Sequence, residues 1–162
     1  MNDAHLHIAV NHFPIIGMVF GLGILTAGLV LKNNSVKNTA YFVFIATTIF
    51  AMISTFTGEG AEEIVEKLPN VTKEMIRKHH KMAWKFATVV FVTGFFSLIS
   101  LYFSVKKNSF ERYTSIITLV LALVGVFLSI QTATTGGEMR HTEIRKDFVV
   151  PADTKSDEDH DK

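Results

Sequence analysis

The chain has 162 residues, 48% of them hydrophobic, and a formal net charge of +1. Near-neutral charge gives no basic footprint for nucleic acid. The absence of cysteine excludes disulfides, iron–sulfur clusters, c-type haem attachment and thiolate zinc sites together.

The start, Met1-Asn2-Asp3-Ala4-His5, carries no basic n-region, so the first apolar run is expected to be kept as a span rather than cleaved. No Lys, Arg, Asp or Glu occurs between Asp3 and Lys32, between Lys37 and Glu59, between Lys85 and Lys106, or between Arg112 and Glu138. Each run is about twenty residues or more, the length that crosses a hydrocarbon core of roughly 30 Å as a helix. Charge at the bilayer centre is costly, and a soluble bundle would show a charged stripe along each helix. The sequence therefore predicts an all-α, integral membrane four-helix bundle over residues 1–150, with spans at 13–31, 39–56, 84–105 and 113–134. Trp84, Tyr41, Tyr102 and Tyr113 fall near span ends, where interface aromatics sit.

Two connections are short and polar, residues 32–37 and 106–112. Short connections make antiparallel hairpins, so these loops share one face and the termini share the other with the long third connection. That connection reads as an amphipathic helix or ordered loop, with Ile64, Val65 and Leu68 on one side and a break at Pro69-Asn70. Residues 151–162 are charged and small, a composition expected to be disordered. Thr57-Gly58-Glu59 after the second span and Thr135-Gly136-Gly137 after the fourth suggest that the two hairpins arose by internal duplication, with His12 and His80 opening the first span of each.

Cations divide the orientation. Lys32 and Lys37 in the first loop, against an N-terminus without Lys or Arg, place the termini in the periplasm of a bacterial inner membrane. Lys67, Lys73, Arg77, Lys78, Lys81 and Lys85 in the long connection argue the reverse.

Six of the seven histidines, His5, His7, His12, His79, His80 and His141, gather on the terminal face. Neutral imidazole ligates iron, copper and zinc, and helical bundles build cofactor sites between facing helices. His12 is the first candidate, set in Asn11-His12-Phe13-Pro14, and His80 is the second. His141, His7 and His79 follow. These allow one or two haem b groups, or a non-haem metal held by His12, His80 and His141. Glu59, Glu62, Glu63 and Glu138 reach the same face, and Glu138-Met139-Arg140-His141 has the Glu-x-x-His spacing of carboxylate-bridged metal pairs. No phosphate loop, nucleophile elbow or zincin motif occurs. No span carries a central ionisable residue, against an ion-coupled transporter.

The run His7-Ile8-Ala9-Val10-Asn11-His12-Phe13-Pro14-Ile15-Ile16-Gly17 resembles the opening of a bacterial four-helix membrane family catalogued as domain of unknown function number 2231. His80, Gly136-Gly137 and His141 match its later elements, over about residues 5 to 145. Ile8 stands where the family usually carries Pro, and the step from Gly-Gly to the last histidine is shorter here. The resemblance implies the four-helix fold and points to the histidines. More loosely, the chain is similar to small b-type cytochrome membrane subunits. The function expected is electron transfer within a respiratory or quinone-linked membrane complex, with other subunits, a cytochrome or the quinone pool as partners. The alternative is a cofactor-free structural or assembly subunit.

Overall fold

The computed structural model describes residues 2–145 and 148; the expectation for 151–162 falls outside them. The described chain is all-helical, without a strand. Five helices follow one another: α1 Asp3–Val10, α2 His12–Val30, α3 Asn34–Val65, α4 Lys73–Val105 and α5 Glu111–Arg140. A short 3-10 turn, Thr142–Ile144, closes the series.

Local chemistry sets the ends. Asn33 Oδ1 accepts the Ser35 and Val36 N–H groups to start α3, and Thr72 Oγ1 accepts the Met75 N–H to start α4, so each caps otherwise orphaned donors. Lys32 and Lys107, with φ of 49° and 52°, turn the chain left-handed after α2 and α4. The Asn33 and Asn108 N–H groups then bond the Gly28 and Phe103 carbonyls, both at 2.9 Å, in the manner of a Schellman closure. Pro14 explains the break between α1 and α2. It has no N–H, and its ring crowds the carbonyl four residues earlier, at Val10, the last residue of α1.

The four long helices form a closed ring, α2 against α3, α3 against α4, α4 against α5 and α5 against α2. Partners run in descending register along α2 and α3: Gly17 faces Thr47, Gly21 faces Phe44 and Gly28 faces Lys37. The core is small, built on Met18, Leu25, Tyr41, Phe44, Val90 and Ala122. Between α4 and α5 the buried face is hydroxylic, with Thr93, Ser97, Ser100, Ser115, Thr118 and Ser129. Most of these hydroxyls return to the carbonyl three or four residues earlier. That satisfies them inside their own helix and lets the helices approach closely.

The outer surface is the apolar one. Phe20, Phe42, Phe56, Phe95, Phe127 and Ile130 are all exposed. Four helices are long and apolar enough to cross a membrane, and together with this inside-out distribution they suggest a multi-pass membrane protein.

The helices outrun the charge-free stretches. α3 continues to Val65, α4 begins at Lys73 and α5 reaches Arg140, against predicted limits of 56, 84 and 134. The long connection is thus neither a separate helix nor a loop. It is divided between the last turns of α3 and the first of α4, with a turn at residues 66–72 around Pro69. At 1.5 Å per residue, α3 and α4 project roughly 14–16 Å beyond the predicted span ends. Charged side chains are stable there because water reaches them.

Candidate functional site

The projecting helix ends enclose a cavity of about 160 Å³. Its lining includes His7 on α1, Asn11 at the α1–α2 break, Gly58 and Glu62 on α3, and His79 and Trp84 on α4. α1 packs along α3, with Asp3 against Gly60, and this brings His7 inward.

The His7 and His79 imidazoles are held by one kind of contact. His7 Nδ1 lies 2.9 Å from the Ser54 carbonyl. A carbonyl only accepts, so Nδ1 carries the hydrogen. Thr57 Oγ1 lies 3.4 Å from the same nitrogen, and its own hydrogen goes to the Ile53 carbonyl at 2.9 Å. His79 Nδ1 lies 3.1 Å from Thr135 Oγ1. The Thr135 hydroxyl donates to the Gln131 or Thr132 carbonyl at 3.0 and 3.1 Å. It is therefore left as an acceptor, and His79 Nδ1 donates. In both neutral rings the lone pair sits on Nε2, which has no hydrogen-bond partner among the described residues. Each ring also lies over a glycine, His7 by Gly58 and His79 by Gly136. Both residues line the same cavity.

The other histidines are placed differently. His12 is exposed on α2, and His5 is exposed on α1. His80 borders the cavity, but its Nδ1 is engaged by Glu62 Oε2 at 3.1 Å on an exposed surface. His141 pairs with Glu143 Oε1 at 2.9 Å, outside the cavity lining. The Glu143 carboxyl is held below its ordinary value, first by its own backbone N–H and then by His141. Glu138 of the Glu-x-x-His element bonds Lys78 at 3.3 Å. Among the described residues no three His, Asp or Glu side chains converge closely enough to hold a metal ion. Asn11 Oδ1 is buried without a hydrogen-bond partner among those residues.

A second polar cluster lies at the short-loop end. Lys37 Nζ donates to Glu111 Oε2 at 2.7 Å, with both residues buried. Tyr41 OH and Ser115 Oγ reach Glu111 Oε1 at 2.8 and 2.7 Å. The sequence reading treated Lys37 as a loop cation and Glu111 as a loop acid. Their separation by 74 positions leaves no local trace of the pair.

No protein-family model, curated protein or solved structure matches the chain.

Proposed function

We propose that this chain is a membrane-embedded b-type haem protein that carries electrons within a respiratory or quinone-linked complex, and that His7 and His79 would hold the haem. The observation that carries the reading is the pair of imidazoles from different helices that line one cavity, each bonded through Nδ1 and with no partner on Nε2 among the described residues. Metal-bound histidine typically donates its other ring hydrogen to a backbone or side-chain oxygen in this way.

Donor number favours haem over a bare metal ion. A structural metal site needs about four protein ligands, whereas a haem iron takes four from its macrocycle and two from the protein. Two convergent histidines suit the second case. The cavity encloses less than the roughly 300–1,000 Å³ of typical small-ligand pockets. A macrocycle would therefore need the α1–α3 pair to part from the α4–α5 pair, which keeps His7 on α3 and His79 on α5. Bound there, haem supplies a one-electron centre whose potential follows its axial ligands and their hydrogen bonds. The chain's own residues orient the two rings and keep them neutral. Other complex subunits, a cytochrome or the quinone pool would exchange the electrons. The exposure of His80 and His141 favours a structural role for those two.

Descending contacts between α2 and α3, and the matching Lys-Asn closures after α2 and α4, support two antiparallel hairpins related by duplication. The equivalent histidines are then His7 and His79, in place of His12 and His80.

The test is a dithionite-reduced minus oxidised spectrum of the full chain, expressed with ample haem. A b-type signal is expected in the wild type, lost in His7→Ala and His79→Ala, and kept in His12→Ala and His141→Ala. A folded protein without haem would leave the cofactor-free subunit as the function.

Orientation in the bacterial cytoplasmic membrane follows from cation position. Lys73, Arg77, Lys81 and Lys85 are exposed at intervals of four along one continuous helix, a stripe of roughly 18 Å. They keep this end within the range where Lys and Arg govern topology. On this ground we infer a cytoplasmic histidine end, the reverse of the expectation from the first loop. Because the chain has no cysteine, single-cysteine labelling is clean. An impermeant maleimide applied to whole cells should modify Ser35→Cys and spare Glu143→Cys; the opposite pattern would restore a periplasmic histidine end.

A further inference from the structure

The two imidazole seats share a Thr-Gly step. His7 rests on Ser54-Thr55-Phe56-Thr57-Gly58 of α3, and His79 on Thr132-Ala133-Thr134-Thr135-Gly136 of α5. In each segment the fourth residue offers a threonine hydroxyl and the fifth a glycine beneath the ring, and Ser54 also offers its carbonyl to His7.

The hydrogen bonds have one chemical outcome. Within a helix a threonine hydroxyl usually spends its hydrogen on the carbonyl three or four residues back. Thr57 and Thr135 both do so, which turns each oxygen into an acceptor for the incoming ring. An imidazole meeting only acceptors at Nδ1 must keep its hydrogen there, and its lone pair falls on Nε2.

The seats differ in detail. His7 is closest to a main-chain carbonyl, whereas His79 is closest to a hydroxyl. A Cβ added at Gly58 would stand 3.7 Å from His7 Cε1, an ordinary contact. At Gly136 it would stand 3.0 Å from His79 Cε1 and press on the ring.

We propose that Thr135 and Gly136 are positioning residues that fix the His79 ring plane and hold it as the Nδ1–H tautomer, with Nε2 presented to the cavity. The Ser54 carbonyl and Thr57 do the same for His7. The site then takes an electron-pair acceptor, of which haem iron is the case proposed above. The identity of that acceptor rests on the haem reading, while the tautomer does not.

The experiment accordingly uses the full chain in detergent without added haem, labelled with ¹⁵N-histidine. Two-bond ¹⁵N–¹H correlation spectra distinguish the tautomers, and His7→Gln and His79→Gln assign the two rings. At a pH where imidazole is neutral, both rings are expected as Nδ1–H. In Thr135→Val, His79 should lose this pattern through mixed tautomers or rapid exchange of the ring hydrogen. His7 should keep its own, showing that the bundle is folded, and Thr135→Ser should restore His79. Gly136→Ala should shift the His79 signals while Gly58→Ala leaves those of His7 in place. An Nε2–H ring in the wild type overturns the proposal. So does a Thr135→Val spectrum identical to wild type, since the Thr132 carbonyl would then suffice. Haem absent from a protein with both tautomers as expected would overturn the electron-transfer reading and leave this one standing.

Discussion

Glu111→Gln is expected to destabilise the folded bundle by about 3–5 kcal/mol, the range for breaking one partner of a buried ion pair. The substitution keeps the size of the side chain and an oxygen for Tyr41 and Ser115, and turns an NH2 group toward Lys37 in place of the accepting oxygen. What remains is the Lys37 ammonium, buried at the start of α3 with its 2.7 Å partner neutralised. Lys37→Met should cost less. The Glu111 carboxylate would still accept from Tyr41 OH and Ser115 Oγ, and its place in the first turn of α5 suits a negative charge. The paired substitution Lys37→Met with Glu111→Gln should recover at least about 1 kcal/mol of the summed losses, because contacting residues are not additive. Reversible unfolding of the detergent-solubilised chain measures all three. A cost below about 1 kcal/mol for Glu111→Gln would place the pair in the class of exposed salt bridges, and water would then reach that end of the bundle.

Alanine substitutions along α2 should separate glycines that one helix presents in different directions. Gly21→Ala is expected to cost about 1–3 kcal/mol, the usual penalty for overpacking. Its new methyl would meet the Phe44 ring at 2.5–2.8 Å, and Phe44 is fully buried, with nowhere to turn. Gly28→Ala should fall in the same range, because its methyl meets the Lys37 backbone nitrogen at 2.8 Å and backbone yields less than a side chain. Gly23 has nothing within 4 Å of its added Cβ. Gly23→Ala should be neutral, or stabilising by up to about 1 kcal/mol through helix propensity. Unfolding free energies of the three variants decide the matter. Equal effects at Gly21 and Gly23 would mean that α2 does not pack on α3 in this register.

The four long apolar helices were legible, and the short α1 was not, because desolvation of charge acts residue by residue. A run from Asp3 to Lys32 without an ionisable side chain needs no tertiary information to be read as a span. The ends of the helices were less legible. The stretch 57–65 carries Glu59, Glu62 and Glu63, which ended the predicted second span at 56, but charge terminates a membrane crossing and not a helix. Small residues were visible as glycines, whereas the serine and threonine stripe between α4 and α5 was not. Thr93, Ser97, Ser100 and Ser115 look like neutral filler until their burial is known.

The candidate site was legible as a face and not as a pair. Six histidines at one end of the bundle follow from chain order and hairpin length alone. Their ranking does not, because what separates His79 from His80 is the direction of the side chain. Neighbours in a helix diverge by about 100°, so one ring enters the seat at Thr135-Gly136 while the other meets Glu62 in the open. His12 drew attention through Phe13-Pro14, yet the proline acts one turn earlier. It breaks the helix near Asn11 and so frees α1 to carry His7 inward against α3.

By itself, the amino-acid sequence determined the class of this protein, its four helices, and the end at which imidazoles accumulate. Those properties depend on the solvation of each side chain and on how far a short loop can reach. Tertiary structure alone decided that His7 and His79 share a cavity, that His7 meets the Ser54 carbonyl and His79 the Thr135 hydroxyl, and that Lys37 meets Glu111. Each of these is a contact between residues tens of positions apart, set by helix rotation and register, which no local pattern of residues records.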